Sequence, residues 1–427
     1  MDSAAPARVG GIVVSSLAAG LLAAVLLVAA PIIPPTEARV TGAVLCGLAF
    51  GWALLAVLSV RFTDQPQRWA AAPALLMGIG GLLLLAFGSP ALEILSWVWP
   101  PGLLVLVVWM VTRARQQLRS PSRRWLLYPV LAVLALASVG GGYQTLREAA
   151  DARAHPMPGQ LIDVGGHRLH LSCTGSGSPT VVLQPGLGGT SADLALITPT
   201  IARTTRVCVY DRAGRGWSEP ADTPQDALQI ATDLHTLLHA GRVPGPYVMA
   251  GHSFGGLYTL TFADRYPDEL AGMVLVDSTA PAPARGAEPR ATPPSAGGSD
   301  DSTRRLSALA SASGRLGLGR LVGATTASHL GSTIDEFRQG GSSMEQAARL
   351  REFADKPMVV LTAGSGTSPG WSADQDALAT LSTGSIHRVV EGTDHAGLIG
   401  DEDGAAATTQ AVLDVVTSVR TGQPLER

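Results

Sequence analysis

Lysine is almost missing from this 427-residue chain: Lys356 is the only one, and arginines supply the rest of 31 basic residues set against 34 acidic ones. A net charge of -3 and a charged fraction of 15% offer no basic surface for nucleic acid. Three cysteines and nine histidines form no cluster with metal-ligand spacing. No phosphate-binding loop and no internal repeat is present either, so no cofactor or metal is expected. His235 and His239 stand four apart on a helical pattern, but no third ligand type lies near them in sequence, which favours a solvated helix face.

Long apolar runs dominate the first third. Five stretches near spanning length fall at about 10–33, 40–60, 69–88, 91–112 and 125–143, without the alternation of faces that a buried globular core would need. Pro100-Pro101 is a candidate kink or break in the fourth, so four or six spans are the alternatives to five. Arg113, Arg115, Arg119, Arg123 and Arg124 crowd the fourth connection, Arg61 and Arg68 mark the second, and Arg8 precedes the first span. The first connection carries only Arg39 beside Glu37, and the third has no basic residue. Positive residues favour the cytoplasmic side, so an amino terminus inside and, after five spans, a carboxyl-terminal domain outside are expected. The bilayer is therefore the first expected partner.

The remaining residues carry the chemistry. Gly251-His252-Ser253-Phe254-Gly255-Gly256 follows the apolar run Tyr247-Val248-Met249-Ala250 and opens the helix-compatible run Leu257 to Ala263. That is the strand, sharp turn and helix context of a nucleophile elbow, which would hold the Ser253 hydroxyl clear of its surroundings. The new helix would also aim unpaired N–H groups, that of Phe254 among them, at charge developing beside the serine. Downstream come Met273-Val274-Leu275-Val276 ending in Asp277, then Met358-Val359-Val360-Leu361, then Val389-Val390-Glu391-Gly392-Thr393-Asp394-His395. Serine, acid, histidine is the chain order of one class of triad, with His395 as the base.

On these motifs, together with PTVVL-x-PG-x-GG and RVCVYDRAGRGWSEP, residues 160–280 and 355–415 resemble the serine hydrolases of the α/β-hydrolase superfamily. The resemblance implies a mostly parallel sheet of about eight strands with flanking helices and a site at the strand carboxyl ends. Two departures from the pattern matter. Gln184 stands where the family has a histidine, so the resemblance assigns the oxyanion hole to the backbone N–H groups of Leu187 and Phe254. The strand Met358–Leu361 is followed by no carboxylate where the family usually places its acid, so Asp277 comes first, with Asp374 and Asp376 as alternatives. Asp211 and Arg212 are expected to fix loop geometry. A serine at the elbow argues against epoxide-hydrolase and dehalogenase chemistry, which would want a carboxylate there.

The expected architecture is therefore an all-α transmembrane bundle over 1–145, a connector over 146–160, and an α/β-hydrolase domain over 161–427 with a helical cap insertion at about 280–355. Residues 281–303 are rich in Pro, Ala, Gly and Ser. Leu306, Leu309, Leu316, Leu318 and Leu321 beyond them are expected to serve helix-to-core packing, with an acyl pocket or the bilayer as alternatives. Cys173 and Cys208 fall on strands that the fold would make neighbours, which leaves a disulfide and two buried thiols both open. The expected activity is cleavage of a small-molecule or lipid-like ester by Ser253, His395 and Asp277. A ligand-binding receptor on the same fold, or a transporter or scaffold with an appended hydrolase, is the alternative.

Overall fold

A computed structural model describes residues 8–63, 65–117, 125–281, 301–322 and 326–426. Arg119, Arg123 and Arg124 of the basic connection, and residues 282–300 of the Pro/Ala-rich stretch, lie outside the described residues. The chain divides into two compact units, one made of residues 1–156 with 301–331 and the other of 157–300 with 332–427.

The first unit contains α1 (Arg8–Ala29), α2 (Glu37–Phe62), α3 (Ala71–Phe87), α4 (Ser89–Gln117) and α5 (Tyr128–Ala154). All five, α3 taken with the helical turn Arg68–Ala70 before it, are long and apolar enough to cross a membrane. Their outward faces carry large apolar side chains, with Leu22, Leu82, Val105 and Leu136 all more than half exposed. A water-soluble bundle would put polar groups there. Helices α1 and α2 approach through small residues: a Cβ added to Gly47 would sit 2.2 Å from the Ala24 nitrogen.

Helix α4 runs unbroken through Pro100 and Pro101, in keeping with one span there and not with the alternative of a break. A proline N–H is missing at each position, which frees the carbonyl four residues earlier. The single Thr145 hydroxyl proton of α5 is shared between the Ser96 carbonyl left free by Pro100, at 3.2 Å, and the Gly141 carbonyl of its own helix, at 3.0 Å, and Ser138 donates to the Pro100 carbonyl at 2.6 Å. Hydroxyls on the neighbouring helix thus supply hydrogen bonds that apolar surroundings would withhold.

The second unit is an eight-stranded sheet in the order β1-β2-β4-β3-β5-β6-β7-β8. Its strands are β1 (Gln160–Asp163), β2 (Arg168–Thr174), β3 (Thr180–Gln184), β4 (Val207–Tyr210), β5 (Tyr247–His252), β6 (Leu270–Val276), β7 (Met358–Ala363) and β8 (Ser385–Val390). The β1–β2 hairpin is antiparallel, as is β2 to β4, and every later pairing is parallel. Parallel strands read as continuous apolar runs because helices cover both faces. Alternation along β5 sends Met249 to one face, with Leu234 and Leu237 of α6 (Ala227–Ala240) and Leu257 and Leu260 of α7 (Phe254–Arg265). Val248 and Ala250 go to the other, with Ile201, Val412 and Val415. Cys173 and Cys208 are register partners on β2 and β4 and are joined by a disulfide.

The insertion departs most from expectation, because it is divided between the units rather than forming one cap. Helix α8 (Asp301–Gly314) and the turn after it belong to the helical unit. Arg305 donates to the carbonyls of Val28, Ala30 and Ile33 at and just beyond the end of α1, the Ala30 carbonyl also accepting from the Ile33 N–H at 3.1 Å. Arg315 pairs with Glu37, and Arg320 donates to Asp151 at 2.9 Å and Gln144 at 2.9 Å. The face buried in this way is that of Arg305, Ala308 and Ser311. Leu306, Leu309, Leu316, Leu318 and Leu321 consequently stay exposed, up to 82% at Leu321, and do not serve core packing. The later insertion, from Ser332 through the end of α9 (Ala327–Arg338) and α10 (Gly340–Ala347), belongs to the second unit.

Candidate active site

Ser253 joins β5 to α7 with φ 55° and ψ -123°, a conformation in which a non-glycine residue is strained. The turn is held by Ser253 N–H donating to the Val276 carbonyl at 3.1 Å and by Thr279 N–H donating to the Ser253 carbonyl at 3.1 Å. Two glycines make it sterically possible. A Cβ on Gly251 would lie 2.4 Å from the Gly255 carbonyl oxygen, and one on Gly255 would lie 2.4 Å from that of Gln184.

Asp277 closes β6, with φ 42° and a carboxylate 2% exposed. Its Oδ2 is 2.6 Å from Nδ1 of His395, whose ring is 45% exposed. Oδ1 accepts from the Trp371 indole at 2.6 Å and from the Ala363 amide at 3.2 Å. Burial pushes this carboxyl's pKa up, but the hydrogen bonds from His395, Trp371 and Ala363 outweigh it and hold the group below its ordinary value. The other two aspartates are placed elsewhere. Asp374 is buried in the first turn of α11 (Trp371–Ala379), and Asp376 pairs with His387 at 2.7 Å.

His252 donates from Nε2 to the backbone carbonyl of His395 at 2.9 Å, which pins the histidine loop to the elbow. Burial, and then the neighbouring His395, lower the His252 pKa to about 4. It is therefore a neutral donor near pH 7. Ser253, His252 and His395 line one cleft of about 500 Å³, whose other walls include Leu187, Leu196 and Ile399. That size suits a small ligand with an apolar portion. The N–H groups of Leu187 and Phe254 have no acceptor among the described residues. Gln184 does not face this chemistry: its amide donates to Thr259 at 2.9 Å and accepts from Tyr210 at 3.0 Å.

Behind the loop Pro185–Gly188 lies a buried charge cluster. Arg212 Nε donates to Glu336 at 2.8 Å, and the two side chains are each 1% exposed. Arg215 lies 3.1 Å from the same carboxylate. Burial would raise the Glu336 pKa, but the two guanidinium groups dominate and hold it at about 2. Asp211 accepts from the Ser191 amide at 2.7 Å and lies 2.8 Å from His170, so it fixes the adjoining loop.

Sequence reasoning missed Trp371 and Glu336, which stand in segments with no motif around them. It also missed Glu269. That carboxylate lies 3.0 Å from His235 and 3.2 Å from His239, supplying the third ligand type that the local sequence lacked. These three form a metal-sized group, all partly or fully exposed, with both imidazoles set around one carboxylate.

The family model described as alpha/beta hydrolase fold matches residues 179–333. With the sheet order and the elbow, that match decides the fold. The second unit has the α/β-hydrolase fold. An uncharacterized protein of Schizosaccharomyces pombe is 36% identical over 152 residues, 28% of this chain and 28% of its own length. A Pseudomonas savastanoi pv. phaseolicola protein provisionally named carbamate hydrolase RutD is 38% identical over 114 residues, 26% of this chain and 43% of its own. The chain thus spans less than half the length of either relative. Among solved structures, a thermophilic esterase from Thermogutta terrifontis is similar at 20% identity and TM-score 0.45, over 61% of this chain and 99% of that one.

Proposed function

We propose that this protein is a membrane-anchored serine hydrolase that cleaves an ester through an acyl-enzyme, with its hydrolase unit outside the cytoplasm. The observation that carries the reading is the strained Ser253 sharing a cleft with His395, whose far nitrogen is held 2.6 Å from the buried Asp277. An Asp277 carboxylate accepts from Nδ1–H, which leaves Nε2 unprotonated and able to serve as a base.

In this mechanism Ser253 Oγ attacks the ester carbonyl carbon while His395 Nε2 takes its proton. The carbonyl oxygen becomes an oxyanion that accepts from the N–H groups of Leu187 and Phe254. The carbon–oxygen bond to the alcohol then breaks, and His395 returns the proton to that leaving oxygen. Water, deprotonated by His395, attacks the acyl-enzyme and releases the acid and free Ser253. The apolar walls at Leu196 and Ile399 favour a short acyl or alkyl group.

Outward orientation is supported by five spans and by the arginines beside the second and fourth connections. A disulfide between Cys173 and Cys208 fits an oxidising compartment. Purified full-length protein should hydrolyse chromogenic short-chain esters, and Ser253→Ala and His395→Ala should each abolish turnover. Undiminished turnover by Ser253→Ala would end the reading. A carboxyl-terminal reporter that works only in the cytoplasm should be silent, and an active one would reverse the topology.

A further inference from the structure

We propose that Glu336, carried by the insertion, is a positioning residue for the oxyanion hole, acting through Arg212 on the peptide that presents the Leu187 N–H. The inference rests on the serine-hydrolase reading above. Arg212 divides its donors between two tasks. Nε and one Nη face the Glu336 carboxylate at 2.8 and 3.2 Å. The Nη groups also donate to the carbonyls of Pro185 at 2.9 Å and Gly186 at 2.7 Å.

The second of those bonds sets direction. The peptide between Gly186 and Leu187 is trans, since the cis bonds are Ser178-Pro179 and Gly245-Pro246. In a trans peptide the carbonyl and the following N–H point in opposite directions. A Gly186 carbonyl drawn toward Arg212 therefore turns the Leu187 N–H away from Arg212, and Leu187 lines the cleft. Gly189 N–H donates to the same carbonyl at 3.0 Å, closing the turn. The Gly188 N–H lies 3.5 Å from Glu336 Oε2, so the carboxylate also meets the loop directly.

Glu336 is what holds Arg212 in this pose. Beyond its bonds to the two loop carbonyls, the guanidinium packs over the Tyr258 ring, 4.9 Å from its centroid, a contact that sets no rotation of its own. The bidentate contact with the carboxylate fixes the guanidinium plane, and so fixes which Nη reaches which carbonyl. Stability alone is a weak reason for burying two arginines with one glutamate, because apolar groups of the same volume often serve as well. Loop orientation is a task that apolar groups cannot perform.

The test compares full-length wild type, Glu336→Gln, Glu336→Asp and Arg212→Lys in detergent, with active sites titrated by a fluorophosphonate probe so that kcat is expressed per labelled serine. Misorientation of one donor should lower kcat per labelled site about 10- to 100-fold in Glu336→Gln and Arg212→Lys, with KM changed less than about threefold. Glu336→Asp should recover part of the loss. If wild type labels at Ser253 but the variants keep wild-type kcat per labelled site, the cluster is only structural and the inference falls. Should Glu336→Gln fold poorly, Arg212→Lys decides by the same ratio. Wild-type protein that does not label at Ser253 removes instead the reading on which the inference rests.

Discussion

His252→Gln should flatten the acid side of the stability curve. His252 is buried and neutral, with a folded-state pKa of about 4 against an ordinary 6.5. Between those values the unfolded chain binds the proton and the folded one does not, so stability falls as pH drops from 6.5 towards 4. The full difference is 2.5 pH units, or about 3 kcal/mol, and about 2 kcal/mol of it is lost by pH 5. Gln keeps an N–H donor able to serve the His395 carbonyl and removes the titration. Melting of the full-length protein from pH 8 to pH 4.5 reads the effect. Wild type should lose up to about 4 °C beyond the loss of the variant by pH 5. Parallel pH dependences would refute the argument that burial keeps this imidazole neutral.

Other consequences are separable from that one. Asp277→Asn should lower kcat by about 10³- to 10⁴-fold with little change in KM, because the amide leaves His395 in the wrong tautomer; ester turnover measures it. Trp371→Phe removes one of the hydrogen bonds that hold the Asp277 pKa down, so activity should fail at a higher pH than in wild type as the medium is acidified. Glu336 is held at about 2 against 4.5, so its stabilising contribution is present above pH 4.5 and lost as pH falls towards 2. Glu336→Gln should lose that pH dependence and be less stable by about 3 kcal/mol or more at pH 7, in chemical denaturation. The disulfide spans 35 residues, so the Cys173→Ser and Cys208→Ser double variant should lose up to about 4 kcal/mol, read by melting with and without reductant.

What the sequence made legible follows from how locally each feature is encoded. Ser253 lies in a strand, turn and helix that are contiguous in the chain, and the glycines beside it answer clashes within that one turn. The mostly parallel sheet was legible only through the motifs that carry the family resemblance, and the unbroken Val, Leu and Met runs agree with strands buried on both faces. Glu336 was not legible. Its partners Arg212 and Arg215 lie more than 120 residues away, and an isolated Glu on an amphipathic helix has the same pattern as a solvated one. Trp371 is hidden for a similar reason, since its indole meets Asp277 across 94 residues.

The insertion misled through its leucines. An apolar stripe on a helix normally marks the buried face, but α8 buries its Arg305 face, whose guanidinium donates to three carbonyls at and beyond the end of α1. Pro100-Pro101 left a break open as the alternative to a single span. Each proline frees one carbonyl, and the Ser96 carbonyl freed by Pro100 lies 3.2 Å from the Thr145 hydroxyl of the neighbouring helix, a contact the local sequence does not reveal.

The central claim is that Ser253 is an activated nucleophile, and covalent labelling tests it most directly. Full-length protein treated with a fluorophosphonate probe, digested and read by mass spectrometry should carry the adduct on the peptide containing Ser253. That adduct should vanish in Ser253→Ala and be formed far more slowly in His395→Ala. Folded wild-type protein that stays unlabelled, or labels equally well without Ser253 or His395, would contradict the account.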